Sequence, residues 1–190
     1  MSERFAKFAL ELKAEKTRLI EFGRFAAENR KARGLGGPET FGFLGFTHAC
    51  GKTRNGRFAL KRVTVKERMR AKLKEVKAEL RRRMHLSIPE VGRWLGSVVR
   101  GHLAYFAVPG NSHAIGEFVE QVTRHWLQAL RRRSQRARVT WERMARLAER
   151  WLPKPRVIHP YPAKRFDVRH PRQEPSAVVP HARVCAGGRP

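Results

Sequence analysis

Aspartate is almost missing from this chain. The single one, Asp167, stands against 42 lysines and arginines, and the formal net charge is +26. Nucleotide chemistry on two metal ions needs clustered carboxylates to hold the metals, and no such cluster is present. Cysteine is scarce as well. Cys50 and Cys185 lie far apart and neither belongs to a CxxC pair, which argues against a zinc site even with His48 and His181 nearby. No metal or other cofactor is expected, and the thiols read as reduced. Long apolar runs are absent. Met1 to Phe8 alternates charge and aromatics without an apolar stretch, so neither a membrane span nor a signal peptide is expected. The location these absences imply is cytoplasmic.

What is present is apolar bulk and arginine. Hydrophobic residues make up 41% of the 190, with 4 Trp and 11 Phe as anchors, enough to core one domain or two small ones. Arginine dominates the basic set and is interleaved with Trp and Phe. A guanidinium fork matches phosphate and stacks on bases, which favours nucleic acid over a membrane surface or an acidic protein.

The pattern along the chain predicts an α+β fold. Residues 3–30 read as mostly helical or mixed. Gly34-Leu-Gly-Gly-Pro38 breaks them. Phe41–Phe46 (FGFLGF) suits a strand, His48–Gly56 a turn, and Phe58–Val63 a second strand, so a β-hairpin is expected over 41–63. The period then becomes helical. Met69, Leu73, Val76, Leu80 and Met84 form one face of a helix over about 65–84, with capping-box spacing at Thr64 and Glu67. Ser87 and Glu90 have the same spacing and open a second helix to about 107. Pro109-Gly110 ends it, and Asn111 or Ser112 starts a third, buried through Ile115, Phe118, Val122, Trp126 and Leu130. A fourth, shorter helix follows Thr140 and stops before Pro153. The segment 153–190 reads as irregular, either docked on a partner or disordered alone.

Two features carry the charge. Lys66, Arg70, Lys74, Lys77 and Arg81 are spaced 4, 4, 3, 4, one uninterrupted basic stripe on the first long helix. A solvated helix face is the ordinary reading of such a stripe. Its purity of sign points instead to phosphate backbones. Arg131, Arg132, Arg133, Arg136 and Arg138 crowd the end of the third helix. The helix dipole accounts for one or two of them, and a phosphate-dense surface accounts for the rest. Gly51-Lys52-Thr53 is not a phosphate loop, because the required earlier glycine is Phe46. His102 is expected in the core, as are Trp94 and Trp126. Trp141 either packs or stacks on a base.

Several segments together resemble one known family. Leu10–Leu19 (LELKAEKTRL), Phe41–Phe46, His48–Lys52 (HACGK), Gly101–Ser112 with Tyr105, Gly110 and Asn111, Arg131–Arg136 (RRRSQR), Leu152–Arg156 (LPKPR) and Val184–Gly188 (VCAGG) are similar to the C-terminal part of bacterial group II intron reverse transcriptases, the maturases. The likeness covers nearly the whole chain through the order and spacing of its pieces.

The resemblance implies a layout. Residues 1–62 would be a partial reverse-transcriptase palm, 63–151 a thumb and maturase-specific helical domain of three to four helices, and 152–190 a Pro/Arg-rich C-terminal segment. Lys16 matches the family's palm lysine near the nucleotide site. Phe43, Leu44, Gly45 and Phe46 match the segment that grips the primer end. The implied partners are group II intron RNA, template–primer RNA or DNA, and a separate N-terminal reverse-transcriptase half. Mg2+ is expected only for a full-length member. The family is an RNA-directed DNA polymerase, but its paired aspartates are missing here, so the chain is expected to be inactive alone. It resembles a copy truncated at the N-terminus. The expected function is binding of intron RNA in support of splicing and retromobility. The alternatives are the C-terminal half of a split polymerase, or a basic remnant without function.

Overall fold

The computed structural model describes residues 7–9, 13, 17–53, 55–133 and 139–161. Lys16, Arg136, Arg138, Asp167, His181 and Cys185, all singled out above, lie outside the described residues. The fold is α+β, and the chain divides into two compact units, Met1–Ala71 and Lys72–Pro190.

In the first unit, helix α1 (Ala26–Ala32) is short. It ends where Gly34 takes φ 68°, Gly34 N–H donates to the Lys31 carbonyl and Leu35 N–H to that of Arg30. That pair of bonds satisfies the last carbonyls of the helix. Strands β1 (Phe41–Phe43), β2 (Phe46–Lys52) and β3 (Phe58–Thr64) follow and pair antiparallel in that order.

This three-stranded meander corrects the two-stranded expectation at two places. FGFLGF is not one strand. Its centre, Leu44-Gly45, is a tight turn with φ of 47° and 81°, and Phe43 pairs with Phe46 across it. Two consecutive positive φ values match the twist of antiparallel strands, but leucine rarely adopts one, so the sequence signal was weak. Likewise His48–Lys52 is strand, not turn: the ladder runs from Phe46 opposite Thr64 to Lys52 opposite Phe58. The true turn is shorter. Thr53 N–H donates to the Arg57 carbonyl at 2.8 Å and Gly56 N–H to the Thr53 carbonyl at 3.0 Å, so Asn55-Gly56 does mark the bend.

The register puts Phe41, His48 and Arg62 on one sheet face. The His48 ring stacks on Phe41 with centroids 4.9 Å apart, and Phe22 meets Phe41 edge-on at 5.0 Å. The Cys50 thiol bonds to the Gly23 backbone. The segment leading into α1 therefore closes over that face.

Helix α2 (Lys66–Arg82) begins after Thr64 has closed β3, and its second half belongs to the second unit. There α3 (Ile88–Phe106), α4 (Ser112–Arg132) and α5 (Trp141–Trp151) complete a helical bundle. The core contains Val76 and Leu80 of α2, Leu95 and Val99 of α3, Ile115, Phe118, Val122 and Trp126 of α4, and Met144 of α5. All fall on the apolar stripes expected from period 3.6. The capping box at α3 forms in full: Glu90 N–H donates to Ser87 Oγ, and the Glu90 carboxylate accepts from the Ser87 N–H. The Ser87 hydroxyl also donates to that carboxylate at 2.6 Å, and this bond first, then the one from the Ser87 N–H, holds the Glu90 carboxyl below the usual carboxylate range.

Between α3 and α4 the chain turns at Gly110, φ 89°. The expected cap residue Asn111 sits at the N-cap without capping by its side chain. It is buried, and its Nδ2 donates to the Phe106 carbonyl at 2.8 Å, tying the end of α3 to the start of α4. After α5 the described segment 152–161 is irregular, but it docks on its own chain. Ile158 and His159 N–H groups both donate to the Ala107 carbonyl, and His159 Nε2 reaches the Ala104 carbonyl at 2.6 Å. For those residues neither a partner nor disorder is needed to explain the irregularity.

Candidate nucleic-acid interface

Helix α2 sorts its residues by chemistry. Met69, Val76 and Leu80 are buried, and Leu73 is half-buried. Lys66, Arg70, Lys74, Lys77 and Arg81 are all exposed. The first two belong to the first unit and the other three to the second. Nearby acids bond other cations: Lys72 pairs with Glu75 at 2.9 Å, and Glu79 takes both Arg82 and Arg83. Among the described residues, no ion pair involves the stripe residues. Their charge is thus left for solvent or a ligand.

The arginine run divides in a way its sequence does not show. Arg131 Nε donates to the Val139 carbonyl at 3.0 Å, and the Arg133 guanidinium donates to the Leu86 carbonyl. These bonds fix two side chains without cancelling their charge. Arg132 instead lines a cleft together with Lys77 and Arg81 of α2. The run is therefore not one uniform phosphate surface: two of its members also pin the backbone around the end of α4.

Two further polar residues line that cleft, His125 and Gln128, beside the apolar Leu80, Met84 and Ala129. Sequence reasoning passed over both. A signal existed: 125, 128, 129 and 132 are spaced i, i+3, i+4, i+7, and so are 77, 80, 81 and 84 on α2, so each set shares one helix face. Burial, and then the Lys77 charge, push the His125 imidazole below its ordinary range. His102 is a core residue as expected. Its ring stacks on Phe118 with centroids 3.6 Å apart, and Nε2 has no hydrogen-bond partner.

No family model, curated protein or solved structure matches this chain. The site therefore rests on its own geometry.

The remaining candidates fall as follows. Phe43, Leu44, Gly45 and Phe46 form the β1–β2 turn of the first unit. Phe43 and Leu44 are 59% and 63% exposed at its tip, while Phe46 is buried beneath. Gly51 and Lys52 are strand residues, the wrong setting for a phosphate loop, which joins a strand to a helix. Trp126 is fully buried. Trp94 is half-buried under the Arg83 guanidinium, 4.8 Å from its ring centre. Trp141 is 47% exposed at the start of α5, where Thr140 caps the helix by accepting from Arg143 N–H. Among the described residues no three His, Cys, Asp or Glu side chains gather as metal ligands, and no helix is long and apolar enough to cross a membrane.

Proposed function

We propose that this chain is a maturase-like RNA-binding protein of the cytoplasm, which holds folded group II intron RNA by charge and shape and so supports splicing. The observation that carries the reading is the basic side of α2, exposed and, among the described residues, without acid partners, opposite an apolar face that belongs to the core. Such a surface gains affinity by releasing condensed counterions from phosphates. Arginine on a rigid helix reads the shape of a folded RNA more than its sequence. The ordered pieces that resemble maturases supply the choice of RNA.

The test is binding of the purified chain to a group II intron RNA and to an equal mass of unrelated structured RNA across a salt series. A preference for the intron that persists at ~0.2 M salt, where charge-only binding has largely collapsed, is the expected outcome. Equal and steeply salt-dependent binding to both RNAs would reduce the chain to a generic polycation.

A further inference from the structure

The second unit carries a cleft whose lining is electrically one-sided. Lys77 and Arg81 enter it from α2, and Arg132, His125 and Gln128 from α4, over a floor that includes Leu80. Among the described residues no carboxylate lines it. The wide groove of the first unit is a useful contrast. Arg30 and Arg33 line that groove too, but Glu39 and Glu21 pair with them inside it, so an anion has little to gain there. In the α2–α4 cleft three basic residues line one cavity, and among the described residues none of them is ion-paired; like charges held on neighbouring helices repel.

We propose that this cleft seats one phosphate of an RNA backbone, clamped by Lys77 and Arg81 from α2 and by Arg132 from α4. The proposal rests on the RNA-binding reading above and narrows it to a site. Size selects the group. The cavity measures about 30 Å³, space on the scale of one water, which suits a single phosphate oxygen rather than a whole base. Chemistry agrees. The two guanidinium groups offer forked donors to non-bridging oxygens, and the Lys77 ammonium adds a point charge. The Gln128 amide supplies a neutral donor at the rim. His125 is held toward its neutral form by burial and by Lys77. An anion in the cleft would favour its protonated form, so the site has a fourth positive charge in reserve.

A double-mutant cycle tests this, using intron RNA as the probe. If Lys77 and Arg132 hold the same phosphate, Lys77→Ala and Arg132→Ala each weaken binding by about 10-fold and each lower the salt slope by about one. The double variant then loses no more than about 3-fold beyond the worse single, and its slope falls by about one rather than two. The control pair, Lys74→Ala with Arg146→Ala, is outside the cleft and combines as a simple product. All four positions are exposed, so the variants fold, which circular dichroism checks. A double variant whose loss is the product of the singles, with the slope down by two, overturns the shared seat and leaves the RNA-binding reading standing. A wild-type chain that binds no RNA removes both together.

Discussion

His102 shows how much one buried side chain decides. It is 8% exposed, and its pKa is lowered from 6.5 to about 4, by burial first and by the Lys72 charge second. The sign follows from which state binds the proton. Above pH 6.5 the ring is neutral in both states and contributes nothing to the pH dependence. Between 6.5 and about 4 the unfolded chain takes up a proton that the folded chain refuses, so stability falls as the pH falls through that window. The loss approaches about 3 kcal/mol at the acid end. His125 is lowered as well and acts in the same direction. His102→Phe keeps a ring against Phe118 and removes the titration. Urea midpoints at pH 7.5 and pH 5 are expected to differ less for the variant than for the wild type. An equal drop in both would mean that other groups set the acid sensitivity.

At the scale of elements, α3 is built around two glycines that the hydrophobic pattern does not explain. A Cβ on Gly92 would stand 2.6 Å from the Trp151 ring, and one on Gly96 would stand 2.6 Å from the Trp151 carbonyl oxygen. These glycines let α5 lie close on α3. Gly101, in the same helix, faces open space. Gly96→Ala is therefore expected to cost about 1–3 kcal/mol through overpacking. Gly101→Ala should stabilise by about 0.5–1 kcal/mol, the ordinary helix preference for alanine. Thermal melts of the two variants that moved in the same direction would refute the close α3–α5 packing. Helices α2 to α5 were legible in the sequence because each combines a long period of 3.6 with a breaker or capping signal at its end. The sheet was legible only in part. FGFLGF has the apolar character of a continuous strand, and nothing in Leu44 advertises a residue at φ 47°.

For the whole molecule the dominant quantity is the net charge of +26. Without a polyanion, the charges of the free protein repel one another and oppose the compact state. Raising NaCl from ~0.05 to ~0.5 M shortens the Debye length several-fold and should raise Tm by about 3 °C or more, on the order of 1 kcal/mol for a chain of this size. A melting temperature that falls with salt would show that ion pairs such as Arg18–Glu39 and Arg30–Glu39 outweigh the repulsion. The same salt weakens RNA binding of the kind proposed, so the free protein and the proposed complex are expected to respond to it in opposite directions.

Composition and period alone determined the α+β class, the order of helices, the basic side of α2 and the core faces through Phe118 and Trp126. They could do so because burial of an apolar stripe is a local pattern repeated along the chain. Tertiary structure decided what no local pattern encodes. It separated Arg132, which lines a cleft, from Arg131 and Arg133, which are bonded to the Val139 and Leu86 carbonyls. It also brought His125 and Gln128 opposite Lys77 and Arg81. In sequence these residues lie in separate helices, and only the packing of α4 against α2 sets the distance between them. Electrostatic interaction depends on that distance and on burial, so the cleft became visible only when the bundle was assembled.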